Sequence, residues 1–81
     1  MRSMIEERII KILLDDFKVQ YESITSETLF AELGFDSLVL VELALVLDTE
    51  FGTALGDGEL TDTMTIAEAA DLLIDKGVVP G

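Results

Sequence analysis

Cysteine and histidine are both absent from this sequence of 81 residues, and basic residues are few. Without cysteine the chain can form no disulfide and offers no thiol nucleophile. Without histidine it can build neither a His-based catalytic triad nor an ordinary zinc site. Whole classes of catalysis are thereby excluded, and we predict a chain that is not itself an enzyme and has no metal site.

Long apolar runs are also missing. The sequence has no uninterrupted apolar stretch near the roughly 18 residues of a membrane span, and no positively charged leader followed by an apolar run. We therefore expect a cytoplasmic protein that is neither exported nor membrane-bound. Its length fits a single domain, residues 1–81, of a size at which one core supplies only about 3–5 kcal/mol of net stability.

Positive charge is scarce and unevenly placed. Five Lys and Arg residues stand against 17 Asp and Glu, for a formal net charge of −12. Apart from Lys76, all the bases precede Val19, so the stretch from Val19 to Asp75 holds acids and no base. Such a surface repels nucleic acid and anionic lipid and would be steered towards basic patches on partner proteins. The alternative is that acidity only keeps a small apolar monomer in solution.

Apolar spacing predicts a first helix from about Ser3 to Phe17. Ser3 and Glu6 have the form of a capping box, which would place Ser3 at the N-cap. A long connection, Lys18 to Phe35, follows, and loops of this length are usually functional or contain structure of their own. Four apolar residues should pin this connection across the core: Ile24, Leu29, Phe30 and Leu33.

The second predicted helix begins where Asp36 or Ser37 caps it, continues to about Phe51 and stops at Gly52. The segment from Thr53 to Thr65 has room for at most one short helical turn.

A second capping box, Thr65 to Glu68, predicts a last helix through about Lys76, with Gly77 as its stop. No β-hairpin pattern is present. The fold class predicted is all-α, a small three- to four-helix bundle with a long loop between helices 1 and 2.

The helix after Ser37 is more apolar than one buried face requires. At 100° per residue, one side forms a sufficient core stripe: Leu40, Leu43, Ala44, Leu47 and Phe51. A second stripe, Leu38, Val41 and Leu45, falls on another side, flanked by Glu42 and Asp48. An apolar patch with a charged rim usually marks a binding surface. The alternative is a central helix enclosed on all sides, which so small a bundle can hardly provide.

Ser37 allows two interpretations. A serine at a helix start is most often a cap, and Asp36 and Ser37 need no other explanation on that ground. A serine in the first turn would also sit among unpaired backbone N–H groups at the positive end of the helix dipole, where an attached phosphodiester is stabilised. Because the chain has no histidine and no base nearby in sequence, a partner enzyme would have to activate the hydroxyl.

Four blocks of the sequence resemble the acyl carrier protein family, and each stands at family spacing. They are Leu33-Gly34-Phe35-Asp36-Ser37-Leu38, Val41-Glu42-Leu43, Leu47-Asp48-Thr49-Glu50-Phe51 and Thr63-Met64-Thr65-Ile66-Ala67. An Asp-Ser-Leu tripeptide alone is a weak match, but its position at the start of the correct helix makes the match specific. The resemblance covers nearly the whole chain.

The resemblance implies that Ser37 accepts a 4′-phosphopantetheine arm from coenzyme A through a phosphopantetheinyl transferase. The thiol of the arm would hold acyl groups as thioesters. Asp36 would help to dock the transferase and its metal–coenzyme A complex. Further docking positions implied are the apolar residues Leu38, Val41 and Leu45 and the acidic residues Glu42, Asp48 and Glu50.

Two departures bear on the pathway. Carriers of fatty acid synthesis usually have a small residue where Phe35 stands and an acid where Val39 stands, whereas Gly-Phe/Tyr-Asp-Ser-Leu is commoner in polyketide carriers. The chain also begins and ends like a free-standing protein. We therefore predict a discrete polyketide carrier that serves malonyl or acyl transferases and a ketosynthase through their basic patches.

Three alternatives remain. A fatty acid carrier is the nearest, a peptidyl carrier fits less well at Phe35 and Asp36, and an unmodified helical adaptor would use the second helix alone. A calcium module is disfavoured because residues 48–59 lack the EF-hand ligand order.

Overall fold

The computed structural model describes residues 2–19, 24–56 and 58–79. It contains three α-helices, α1 (Arg2–Asp16), α2 (Ser37–Phe51) and α3 (Ile66–Asp75), and a short 3₁₀ helix (Phe30–Leu33) between α1 and α2. The predicted all-α bundle with a long connection between its first two helices is confirmed. Part of that connection, residues 20–23, and residue 57 lie outside the described residues.

The bundle is held by one apolar cluster to which every helix contributes. Helix α1 supplies Ile5, Ile9, Ile12 and Leu13, α2 supplies Leu40, Leu43 and Leu47, and α3 supplies Ile66, Ala69, Ala70 and Leu73. In α2 these residues belong to the predicted core stripe, whose other members, Ala44 and Phe51, are partly buried against the cluster. The connections complete the cluster with Ile24, Phe30, Phe35 and Leu60.

The start of α1 differs from the prediction. The helix already includes Arg2, so Ser3 lies inside the first turn instead of at the N-cap, and the predicted capping box is wrong. Glu6 does not turn back to cap the backbone, because its carboxylate forms an ion pair with Arg2, Oε2 to Nε at 2.9 Å. Arg2 also reaches Asp71 of α3 at 3.2 Å and so joins the two helices. The helix ends at Asp16, one residue before the predicted Phe17.

The start of α3 follows the prediction. The Thr65 hydroxyl accepts a hydrogen bond from the Glu68 backbone N–H at 3.1 Å, and the Glu68 carboxylate accepts one from the Thr65 N–H at 2.9 Å. This capping box is confirmed. The helix ends at Asp75, and Gly77 follows with a φ of 104°.

The long connection is tied to the start of α3 by backbone hydrogen bonds. Residues 26–31 lie antiparallel to residues 62–67, with an isolated bridge between Leu29 and Thr65. The N–H of Phe30 donates to the Met64 carbonyl at 3.1 Å, and the N–H of Ala31 donates to the Asp62 carbonyl at 2.9 Å. These bonds satisfy backbone groups that would otherwise be unpaired, and they hold the chain in place just before α2.

Candidate functional site: the start of α2 and the groove beside it

The turn before α2 is fixed by aromatic packing. Phe35 is only 8% exposed. Its ring stacks on Phe30 at 5.9 Å between centroids and lies against Phe17 at 5.7 Å. Gly34 makes the turn possible with a φ of 79°, a left-handed conformation that glycine adopts at little cost. Because Phe35 is anchored in the core, the two residues that follow it are held in one position at the surface.

Asp36 provides the N-cap of α2. Its Oδ1 accepts a hydrogen bond from the backbone N–H of Val39 at 3.0 Å, which confirms that one of the two predicted residues caps the helix. Ser37 is therefore the first residue of the helix, and its exposed side chain has no capping role. The serine hydroxyl stands in the first turn, where unpaired N–H groups and the helix dipole favour a negatively charged group.

The bases that the structure describes in ion pairs lie elsewhere. Arg8 pairs with Glu50 at the other end of α2, and Lys76 pairs with Glu59 in the connection between α2 and α3. The sequence has no histidine, and among the described residues the Asp36 carboxylate next to Ser37 accepts the Val39 N–H.

The outer stripe of α2 is exposed. Leu38 is 67% exposed, Val41 48% and Leu45 62%, whereas Leu43 on the inner face is fully buried. Glu42 is exposed and falls on the same outer side of the helix. The two-stripe interpretation of this helix is confirmed, and the alternative of a fully enclosed helix is wrong.

A groove of about 340 Å³ runs beside Ser37, between α2 and the connection to α3. One wall is formed by α2, with Leu40, Val41, Ala44, Leu45 and Asp48. The opposite wall, which we call the loop wall, is formed by Leu55, Gly56, Gly58, Leu60, Thr61 and Asp62. The groove is thus mostly apolar, with a few polar groups at its edges, as ligand sites of this size usually are.

Asp48 fastens the loop wall to α2. It is half-buried, and its Oδ1 accepts hydrogen bonds from the Thr53 hydroxyl and from the Leu55 N–H, both at 2.9 Å. Gly52, with a φ of 69°, ends the helix and allows the chain to turn back towards Asp48. The sequence presented Asp48 as a docking acid, and the structure gives its carboxylate a packing role as well.

Glu50 lies on a different face from the outer stripe. Its Oε2 accepts a hydrogen bond from the Arg8 guanidinium at 2.9 Å, and Arg8 lies 4.3 Å above the centre of the Phe51 ring. These contacts turn Glu50 towards α1. The structure therefore brings Ser37, Asp36, Leu38, Val41, Glu42, Leu45 and Asp48 to one side of the molecule, and it does not bring Glu50 there.

The loop wall was not predicted as part of the site. Its apolar anchor, Leu60, is 7% exposed and packs in the core. The signal in the sequence was a single leucine within a run of glycine, acids and threonine, which has no helical or strand period. The residues that the loop wall faces lie on α2, and the sequence around Leu60 gives no indication of them.

The described residues contain neither a metal-binding cluster nor a membrane-spanning helix. Across residues 2–19, 24–56 and 58–79, no three acidic side chains come together in an arrangement suited to a metal ion. No helix in the same part of the chain is long and apolar enough to cross a bilayer.

A short helical bundle with an exposed serine at the start of its second α-helix is the arrangement expected of a covalent carrier domain, and comparisons with known proteins support that class. The family model described as "Phosphopantetheine attachment site" matches residues 7–73. Acyl carrier proteins from two strains of Nitratidesulfovibrio vulgaris, DP4 and Hildenborough, are each 34% identical to the chain over 73 residues, covering 89% of this chain and 96% of each relative.

A solved structure agrees as well. The crystal structure of an acyl carrier protein from Thermotoga maritima superposes with a TM-score of 0.78 at 25% identity, covering 93% of this chain and 88% of that one. The chain belongs to the acyl carrier protein family, and its prosthetic group is a covalently attached 4′-phosphopantetheine.

The residues present fit this group. An exposed hydroxyl in the first turn of α2 suits the phosphodiester, because the helix N-terminus stabilises negative charge. The apolar groove that begins at Ser37 offers a surface for the remainder of the arm. When bound, the group supplies a thiol, which the chain itself lacks because it has no cysteine.

Proposed function

We propose that Ser37 carries the 4′-phosphopantetheine arm and that the chain is a non-catalytic carrier of acyl thioesters. The position of the serine supports this most strongly. Asp36 is the N-cap of α2, so the Ser37 side chain is not needed as a cap. Ser37 is exposed at the positive end of a 15-residue helix.

Attachment needs a separate phosphopantetheinyl transferase. The Ser37 Oγ forms a bond to the β-phosphorus of coenzyme A, the phosphoanhydride bond breaks, and 3′,5′-ADP leaves. The hydroxyl proton passes to a base of the transferase, because this chain offers none near Ser37. Asp36 stays exposed beside the serine, where its charge would help to dock the transferase and its metal-bound substrate.

The outer stripe of α2 is the proposed docking surface for synthase enzymes. Leu38, Val41 and Leu45 supply an exposed apolar patch next to Ser37, and Glu42 adds negative charge to its rim. Partners with a basic patch around an apolar centre complement this surface. Since the cargo is tethered, contacts can remain weak and release quickly between enzymes. Glu50, engaged with Arg8, contributes at most to the far edge.

A polyketide pathway is the proposed setting, with fatty acid synthesis as the second candidate. Val39, where fatty acid carriers usually have an acid, gives the polyketide assignment its main support. Phe35 supports it less, because its packing on Phe17 and Phe30 already accounts for a large apolar side chain there. The acceptance of the loaded protein by malonyl transferase and ketosynthase enzymes of each pathway would separate the two.

The working form is proposed to be a cytoplasmic monomer formed by a single domain. The charge of −12 disfavours self-association, nucleic acid and anionic membranes. Light scattering of the purified protein at physiological salt should give the mass of one chain.

The attachment is tested by intact mass. Incubation with coenzyme A, Mg²⁺ and a broad-specificity phosphopantetheinyl transferase should add the mass of one arm, and Ser37→Ala should abolish this gain. Thr49→Ala, which removes another exposed hydroxyl of α2, is the matched control and should be modified like the parent. No mass gain, or an equal gain in Ser37→Ala, would favour an unmodified adaptor or another attachment residue.

A further inference from the structure

The loop wall of the groove is closed by an ion pair of its own. Glu59 stands between Gly58 and Leu60, two residues that line the groove, and its carboxylate meets Lys76 just after α3. The Lys76 Nζ lies 2.7 Å from Oε2 and 2.7 Å from Oε1. Lys76 thus donates a hydrogen bond to Oε2 and forms an ion pair with Oε1, which has no hydrogen-bond partner of its own.

This pair is less exposed than the Arg8–Glu50 and Arg2–Asp71 pairs and about as exposed as the Arg2–Glu6 pair, whose side chains are 50% and 13% exposed. The Lys76 and Glu59 side chains are 33% and 31% exposed, against 50% and 48% for Arg8 and Glu50. Glu59 Oε1 itself is shielded from water. If Lys76 is removed, the Glu59 carboxylate loses the cation that holds it near the end of α3, and the loop wall loses one of its fastenings.

The Glu59–Lys76 pair fastens a part of the loop wall that the contacts on either side do not hold. On one side, Asp48 holds Thr53 and Leu55, and on the other Leu60 is inserted in the core. Between them the wall is fastened by a backbone hydrogen bond from the Glu59 N–H to the Gly56 carbonyl, at 3.2 Å, and by Lys76. Gly58, with a φ of 83°, supplies the kind of position about which such a segment can turn.

We infer that the Glu59–Lys76 pair is a latch on the loop wall, which sets how readily a group held in the groove is exposed. The inference rests on the proposed attachment at Ser37, because the groove begins at that residue. Lys76 and Glu59 are positioning residues that touch neither the arm nor its cargo. A partner enzyme with a basic docking patch could compete with Lys76 for Glu59 and thereby open the wall when it binds.

The wall is tested first in the protein without its arm. Lys76→Met removes the cation and keeps an apolar stem, and hydrogen exchange of the Glu59 amide should become about two- to fivefold faster, the range expected for losing one partly exposed pair. The Leu55 amide, held by Asp48, should change little. Arg2→Met is the matched control, because it also removes one positive charge and breaks ion pairs to Glu6 and Asp71, away from the groove.

The cargo is tested in the loaded protein. An octanoyl arm is installed from octanoyl-coenzyme A, its presence is confirmed by mass, and the thioester is cleaved by hydroxylamine, which attacks the carbonyl and releases the thiol. Cleavage should be about two- to fivefold faster in Lys76→Met and unchanged in Arg2→Met. Reversing the pair, Glu59→Lys with Lys76→Glu, should restore the parent rate.

The outcomes separate the two proposals. Failure to load Ser37 overturns the proposed function, and the exchange experiment without the arm still decides whether the pair holds the wall. Equal exchange in Lys76→Met and the parent overturns the latch. Faster hydrogen exchange of the Glu59 amide with an unchanged rate of thioester cleavage would show that the latch holds the wall but does not control exposure of the cargo. A reversed pair that does not restore the parent rate shows that removal of Lys76 acts through general destabilisation.

Discussion

The two faces of α2 contain the same kinds of side chain and differ in what surrounds them. Leu43 and Leu47 on the inner face are fully buried, whereas Leu38 and Leu45 on the outer face are 67% and 62% exposed. Burial of a leucine contributes about 2 kcal/mol to folding, and an exposed leucine contributes little. Composition alone therefore does not tell which leucines stabilise the fold, and the outer ones remain available to a partner.

The rim of the outer face is divided in a similar way. Glu42 is exposed next to Leu38 and Leu45, while Asp48 is half-buried and occupied by the Thr53 hydroxyl and the Leu55 N–H. An exposed acid at a rim acts mainly through long-range attraction, and a partly buried acceptor acts through local hydrogen bonds. Of these two acids, Glu42 is thus available to attract a partner, and Asp48 holds the loop wall.

The largest expected effect comes from truncating the inner face. Leu43→Ala should lower the free energy of unfolding by about 3 kcal/mol, because it leaves a cavity in the core. The net stability of so small a domain is itself only a few kcal/mol. Leu45→Ala is the matched control on the outer face and should change it by less than about 0.5 kcal/mol. Urea unfolding followed by circular dichroism measures both. Equal losses would mean that the two faces do not differ in burial.

Replacing Asp48 sharpens the distinction between the rim acids. Asp48→Ala should cost about 1–2 kcal/mol of stability, because the Thr53 hydroxyl and Leu55 N–H lose a charged acceptor. Asp48→Asn retains an oxygen acceptor and should cost clearly less. Thermal unfolding of both variants provides the measurement, and an unaltered stability of Asp48→Ala would mean that the loop wall does not depend on this carboxylate.

Reversing the charge of Glu42 tests the outer face as a docking surface. Glu42→Lys should lower the kcat/KM of the transferase for this protein by about tenfold, because a basic partner patch then meets like charge. Glu50→Lys is the control on the other face and should leave that rate within about twofold, whatever it does to the contact with Arg8. If both variants fall equally, net charge matters and the position of the charge does not.

Added salt should have the smallest effect on stability, because it screens the surface acids and leaves the apolar core unchanged. Raising the ionic strength from 0.01 M to 0.15 M shortens the screening length from about 30 Å to about 8 Å and weakens repulsion among the acids. We expect the melting temperature to rise by about 4 °C, which corresponds to roughly 1 kcal/mol or less for a domain of this size. A flat profile would indicate that the acids are too dispersed to repel.

The sequence alone predicted the features that neighbouring residues determine. Asp36 and Gly52 at the ends of α2, and Thr65 with Glu68 at the start of α3, act through hydrogen bonds or backbone conformations that span a few positions. The same is true of the core stripes, since helical period alone decides which residues share a face.

Prediction was wrong or incomplete where distant residues compete for a side chain. Ser3 and Glu6 match a capping box, but Arg2 takes the Glu6 carboxylate. Glu50 was predicted to lie with the other docking acids, but Arg8 on another helix holds its carboxylate on a different face, and its docking role stays a prediction. The groove depends on Leu60 packing in the core, a contact that no local pattern announces.

The antiparallel contact between residues 26–31 and 62–67 has a consequence for the order of folding. Helix α2 and the turn that carries Phe35 have local hydrogen bonds, but the segment before that turn is fixed only when residues 26–31 have met residues 62–67. Such long-range pairings form slowly because loop closure costs entropy first. The support beneath Ser37 is therefore expected to be complete only late in folding. On the proposed attachment at Ser37, modification would then depend on folding, and a chain that is still unfolded would be a poor substrate for the transferase.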